Sequence, residues 1–188
     1  IQTMMDEHQT ILRVLACLER LVTVDQHADE QAATFAKITG FLREYADSLH
    51  HGKEEDLLFP ALEATGIPTE AGPTVVMRME HEEGRALVRR MRELAASEPF
   101  DRTAIAEPAL QFIGLLRAHI AKEDHILYPM ARRMMRESDI LALDRACEHA
   151  DATNFVPDWS TGWERWAREL ARNLGVDQER FEVSPACH

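Results

Sequence analysis

Apolar residues recur along this chain at intervals of three and four. From about Thr3 to Thr23 the positions Met4, His8, Ile11, Leu12, Leu15, Leu18 and Val22 share one stripe of helical period, which predicts a helix with His8 on its buried face. The acidic, polar stretch Asp25 to Glu30 predicts a turn. Phe35, Ile38, Leu42, Tyr45 and Leu49 then form a second stripe that continues through His50, Glu54, Leu57 and Leu58. Pro60 has no N–H and crowds the preceding turn, so this helix bends or ends near it, and Gly66-Ile67-Pro68 finishes it. Gly72-Pro73-Thr74 opens a third helix, with Pro73 in the first turn where a missing N–H costs least. Its stripe is Val76, Met77, Met79, His81, Leu87, Val88, Met91 and Leu94. After the break Ser97 to Asp101, with Asp101 as N-cap, a fourth helix runs from about Thr103 to Met135, kinked in its first part by Pro108.

Four long helices with short connections predict an all-α, up-down-up-down four-helix bundle over residues 1–136. A helical C-terminal extension, residues 137–188, follows. One short helix is expected from Ser138 to about Ala152, capped by Ser138 or Asp139, and another from Trp159 to Leu174. Trp159, Trp163, Trp166 and Leu170 lie one helical turn apart and are expected to pack this tail onto the bundle. The last residues, to His188, show no periodicity and are expected to form a flexible end or the start of a further segment.

Within this pattern the chain repeats a phrase. His50 to Pro60 aligns without a gap on His119 to Pro129, with His50/His119, Lys53/Lys122, Glu54/Glu123, Leu58/Leu127 and Pro60/Pro129 identical and Glu55/Asp124 and Phe59/Tyr128 similar. Upstream of each copy, Met4/Met77, Glu7/Glu80 and His8/His81 also match. Each half therefore predicts a helix bearing one His followed by a helix bearing H-x-x-x-E. Residues four apart on a helix are separated by only about 40° in projection, so each pair presents an imidazole and a carboxylate on one face.

Composition narrows the classes. Of 188 residues, 45% are apolar and 29% charged, as in ordinary globular proteins, and the length suits a sizeable core. A formal net charge of −12 with no basic run argues against nucleic-acid and anionic-membrane partners. No stretch approaches the roughly 20 apolar residues of a membrane-spanning helix. Cys17, Cys147 and Cys187 are widely spaced and lack C-x-x-C, which suits free thiols in a reducing cytoplasm. A protein partner and the oligomeric state are left open.

Facing helices of such a bundle would bring His8, His50, Glu54, His81, His119 and Glu123 together in the core. Four imidazoles and two carboxylates suit iron, manganese or zinc better than calcium or magnesium. The twofold pattern suits two ions, with bridging carboxylates, an oxo or hydroxo bridge and positions open to a small molecule. Buried without a cation, such groups would cost several kcal/mol each. On helix four Asp124 offers a second carboxylate register, about 140° from His119 unless a π-bulge restores it, so Glu123 is the preferred ligand. Asp124 and Glu55 are then outer partners or exposed acids. His51, about 100° from His50, is assigned to an outer position or the surface, and His125, His149 and His188 to the surface.

The phrases H-x-x-K-E-E-x-x-L-F-P, G-P-x-x-x-M-x-x-E-H and H-I-x-x-E-x-x-x-L-Y-P resemble the hemerythrin-like (HHE cation-binding) family over roughly Met4 to Arg133. The resemblance implies a four-helix bundle around a non-haem di-iron centre, with ligands at the same six positions. Hemerythrin proper has H-x-x-x-H on its third helix, whereas Met77 stands four residues before His81 here, which disfavours reversible oxygen carriage. In ligand pattern the chain is closest to the di-iron domain of repair-of-iron-centres proteins, which act under oxidative and nitrosative stress. That group has a further His between helices one and two, and Val24 to Asp29 resembles its phrase, making His27 a candidate seventh ligand, while some hemerythrin-like iron sensors use a ligand at the position of His51, which the resemblance leaves open as well. The small cysteine-bearing domain of that group is not visible. The resemblance implies a protein that handles oxygen, peroxide or nitric oxide. Its alternative is an iron store, donor or sensor. Tyr45 and Tyr128 are candidates to donate to a bound oxygen species or to pack the core.

Overall fold

The computed structural model describes residues 1–24 and 31–176. Helix α1 spans Gln2–Thr23. Helix α2 covers 31–63: α-helical Gln31–Phe41, π-helical Leu42–His51 and Glu54–Leu58, then α-helical Phe59–Glu63. Helix α3 is Pro73–Ala95. Helix α4 covers 102–134 as Arg102–Lys122, π-helical Glu123–Leu127 and Tyr128–Met134. Two further helices, α5 (Glu137–Asn154) and α6 (Trp159–Asn173), complete an all-α fold with no strand among the described residues. The expected turn between α1 and α2, with His27, lies outside the described residues, as does the end from 177 onward.

Cross-helix contacts fix the up-down-up-down order. His8 meets Asp124, Glu19 meets Arg117, and the Leu21 and Val24 carbonyls accept from Arg102, so α1 and α4 run antiparallel. Glu63 accepts from Thr74 while Arg85 reaches Asp47 and Glu55, which sets α2 against α3 in the same sense. Asp101 caps α4 as expected, its Oδ1 accepting from Thr103 N at 2.9 Å and Ala104 N at 3.4 Å. Helix α5 differs from expectation. Its N-cap is Arg136 without a side-chain cap bond, because Asp139 is engaged by the Arg136 guanidinium at 2.8 and 2.9 Å.

The stripe on α3 also differs. Its buried residues are Thr74, Met77, His81, Gly84, Val88, Met91 and Ala95, a strict alternation of three and four. Val76 and Met79 fall outside that stripe and are 45% and 67% exposed. Pro60 and Pro129 do not stop their helices at once: each follows a π turn and sits at the start of the next α-helical segment, where a missing N–H is tolerated.

The apolar interior is divided in two. One cluster joins Ile11 to Leu21, Phe35 to Leu49, Val88 to Ala95 and Ile105 to Ile120, and α6 packs Trp159, Trp163, Trp166 and Leu170 against it. The other joins Met4, Leu58, Phe59, Leu62, Met77, Leu127 and Tyr128 with Leu143 and Cys147 of α5. On every bundle helix the His and Glu positions fall between the two. Leu18 is fully buried in the first cluster. Leu18→Ala is expected to lower unfolding stability by about 2–5 kcal/mol, read as a fall in the urea midpoint at unchanged slope. An unmoved midpoint would contradict this packing.

Candidate metal centre

Between the two apolar clusters, α1 places Glu7 and His8, α2 His50, His51, Lys53 and Glu54, α3 Glu80 and His81, and α4 His119, Lys122 and Glu123. His8, His50, His81, His119, Glu54 and Glu123 are at most 1% exposed. Their Nε2 atoms converge: His8 and His50 lie 2.9 Å apart, His81 and His119 3.0 Å. Glu123 spans the pairs, Oε2 at 3.2 Å from His8 and Oε1 at 3.0 Å from His119. Glu54 Oε2 stands 3.8 Å from His50 and 3.5 Å from His81. Two groups result, each with ligand atoms within 4.8 Å of one another: His8, His50, Glu54 and Glu123, and His51, Glu54, His81 and His119. Glu54 belongs to both.

Every one of these imidazoles is held from behind by a carboxylate. The Nδ1 of His8 meets Asp124 at 2.8 Å and that of His81 meets Glu55 at 2.6 Å. The Nδ1 of His50 meets Glu7 at 2.9 Å and that of His119 meets Glu80 at 2.8 Å. Lys53 and Lys122 then clamp the second oxygens of Glu7 and Glu80. An ionised carboxylate only accepts, so each Nδ1 carries a proton, and each Nε2 presents a lone pair inward wherever no second proton is bound. With the rings neutral, four lone pairs and two carboxylates thus face one another in a buried space.

That arrangement fits cations and little else. Glu54 Oε2, both Glu123 oxygens and His51 Nε2 are buried without a hydrogen-bond partner, and leaving such atoms unpaired costs several kcal/mol. Without a metal, protons are the only available cations. Burial opposes charging His8, but Asp124 and Glu123 outweigh it and raise its pKa to about 9. Burial likewise opposes charging His119, and Glu123 and Glu80 raise it to about 10. Burial raises Glu123, but His119 and His8 overcome this and hold it well below the usual carboxylate range. The donor set of imidazole and carboxylate suits iron, manganese or zinc.

His51 departs from its expected outer or surface position. It is 6% exposed, stacks on His81 with ring centroids 3.8 Å apart, and belongs to the second ligand group. The reason is the π turn over Leu42–His51, whose wider turn shortens the angular step so that consecutive residues both face inward. The same widening lets adjacent acids embrace one ring. Glu54 and Glu55 meet the two nitrogens of His81, while Glu123 and Asp124 meet those of His8. Asp124 and Glu55 are therefore outer partners. Burial and the neighbouring His81, His50 and His119 lower the His51 pKa well below its usual value.

The tyrosines separate. Tyr128 donates to Glu54 Oε1 at 2.6 Å and stacks on His8, whereas Tyr45 lies in the first apolar cluster and donates to Glu164 of α6. Residues not assigned a role from sequence are Glu7, Glu80, Lys53 and Lys122, although their identity in the repeat marks them. Asp151 of α5, 3.1 Å from Lys53, carries no such mark.

Metal uptake at pH 7 is expected to displace protons from His8 and His119, whose raised pKa values keep them charged in the metal-free protein. Titration with zinc in weak buffer should release about two protons per chain, and zinc uptake without proton release would contradict the assignment. Glu7→Gln is expected to weaken one of two bound metals by about 10–100-fold, giving biphasic extraction by a chelator where a single phase would otherwise appear.

The model of the hemerythrin HHE cation-binding domain matches residues 1–131. Similar proteins include one from Mycobacterium tuberculosis H37Rv named "Uncharacterized protein Rv1995" and one from Mycobacterium bovis named "Uncharacterized protein Mb2018". Each is 30% identical over 192 residues, spanning 97% of this chain and 73% of its own. No solved structure matches the chain significantly. No helix among the described residues is long and apolar enough to cross a membrane. Taken with the buried His/Glu groups, the match over residues 1–131 establishes that this chain belongs to the hemerythrin HHE cation-binding family.

Proposed function

We propose that the chain holds two iron ions and uses them to bind or turn over oxygen, peroxide or nitric oxide. The observation that carries this is the pair of ligand groups sharing Glu54, with Glu123 spanning them. One ion would take His8, His50 and the two glutamates. The other would take His81, His119, the same glutamates and His51. Bound iron would supply one-electron chemistry in addition to Lewis acidity, whereas zinc in the same donors would supply the Lewis acidity alone.

The chain's own groups prepare that chemistry. Carboxylates behind each Nδ1 fix the ring orientations and raise the basicity of each Nε2. Tyr128 holds Glu54 in place from the closed side and excludes water from the His8 end. On the other side a cavity reaches His51, His81 and His119, so an incoming molecule has access to that end. The reading places the protein in oxidative or nitrosative stress defence, including protection of iron–sulfur centres, in a reducing cytoplasm that keeps the buried Cys17 and Cys147 as thiols. The bundle within residues 1–136 carries the metals, and α5 and α6 of the extension brace it.

A second reading, an iron-responsive switch, is favoured by one contact: Lys53 links Glu7, and through it His50, to Asp151 of α5. Metal analysis with an ultraviolet-visible spectrum separates the two. Two irons per chain with charge-transfer bands that change on adding peroxide or nitric oxide are expected, and Glu54→Gln should abolish them. Full iron loading with no spectral response, but with α5 becoming protease-sensitive on iron removal, would replace turnover by the switch. Absence of iron uptake would defeat both.

A further inference from the structure

The cavity that reaches the His51 end is larger than a diatomic or peroxide needs. Its volume is about 250 Å³, against the roughly 30 Å³ share of a water in liquid and the roughly 150 Å³ cavity that takes a benzene. It lies between α2, α3 and α4, with walls from Leu42, Ala46, Val88, Phe112, Leu115 and Leu116 and with His51, His81 and His119 at its inner end. Gly84 opens it: a Cβ there would stand 3.5 Å from Phe112, so any longer side chain would project into this space.

Its mouth is positive on a chain of formal net charge −12. Arg43, Arg85, Arg89 and Arg92 line it, against the carboxylates of Asp47 and Glu80. Arg85 is neutralised by Asp47, Glu55 and Glu82, Arg43 pairs with Glu44, and Glu80 is taken by His119 and Lys122. Arg89 and Arg92 are exposed and make no ion pair among the described residues. On α3 they stand 8 and 11 residues beyond His81, about 12 and 16 Å along the helix at 1.5 Å per residue.

We propose that this cavity binds an organic monocarboxylate with an extended apolar tail, its carboxylate on Arg89 and Arg92 and its tail running along the Leu42, Val88 and Phe112 wall toward the histidines. A guanidinium pair matches a carboxylate in charge and geometry, and the distance from the arginines to His81 calls for a medium-length chain rather than a single ring. Occupancy of the cavity stands on its shape and charge alone. Only the placing of the tail beside bound metal rests on the di-metal reading.

Decanoate, decanol and decyltrimethylammonium, each below its micelle concentration, are titrated into the full chain in metal-loaded and metal-free forms by calorimetry, with metal content measured separately. Decanoate is expected to bind once per chain in both forms, at least tenfold more tightly than the neutral or cationic analogue. Arg89→Gln with Arg92→Gln should weaken it at least tenfold at unchanged metal content, and Gly84→Leu should abolish it. Equal affinity for the cation, no saturable binding, or binding that needs metal and ignores the arginine pair would overturn the inference. Because both arginines are exposed, that double variant keeps the test decisive should Gly84→Leu not fold. Decanoate binding by a protein that takes up no metal would sink the di-metal reading and leave this site standing.

Discussion

A layer of buried ionisable side chains, five histidines with Glu54 and Glu123 at its centre, is enclosed between two apolar clusters, and the rest of the molecule is arranged around making that tolerable. Apart from the Tyr128 hydroxyl, which donates to Glu54, the clusters present apolar side chains to this layer, and with each Nδ1–H donated to a carboxylate the inner faces of the neutral imidazoles and the carboxylates are all electron donors. Such a layer repels itself unless positive charge enters it. Protons supply that charge in the metal-free protein, which is why His8 and His119 are driven to about 9 and 10 despite complete burial. Metal ions supply it with better geometry, since one ion satisfies several lone pairs and a proton only one or two.

Duplication gives this layer its near-twofold symmetry, and two substitutions break it. Tyr128 stands where the first half has Phe59, and His51 stands where the second half has Ile120. Both rings cover a histidine, Tyr128 over His8 and Phe59 over His81, but only the tyrosine adds a hydroxyl, and it donates to Glu54. His51 lies at the opposite end, beside His81 and along the cavity. The two halves of the centre are therefore chemically different: one is closed and held by a phenol, the other has an additional imidazole and an approach from outside. A sequence repeat alone would have suggested equivalence.

How far the sequence discloses this depends on which physical rule governs each residue. The helices are legible because burial imposes a spacing of three and four, and the His and Glu of H-x-x-x-E are legible because an α-helix puts them on one face. Glu7, Glu80, Lys53 and Lys122 were visible as identities in the repeat, but a role behind the imidazoles follows only once the facing helices are docked. His51 escapes the rule of a 100° step because the chain adopts a π turn there. On α3 hydrophobicity marks Val76 and Met79, whereas the inward line passes through Thr74 and Gly84. Glycine carries no hydropathy signal, yet its missing side chain is what leaves room for the cavity.

The extension illustrates a cause that no local pattern contains. Lys53 and Lys122 are equivalent in the repeat, and each clamps a glutamate behind a histidine, but Lys122 is 37% exposed and Lys53 only 3%. Water can hydrate the remaining protons of Lys122. Docking of α5 takes that option from Lys53, and an ammonium with three donors and one carboxylate partner would then be underserved in a dry setting. Asp151 supplies the second partner from α5 itself. The helix that removes the water thus brings the replacement, so the polar layer behind His50 is completed by a residue beyond the matched 1–131 segment, while the layer behind His119 is complete within it.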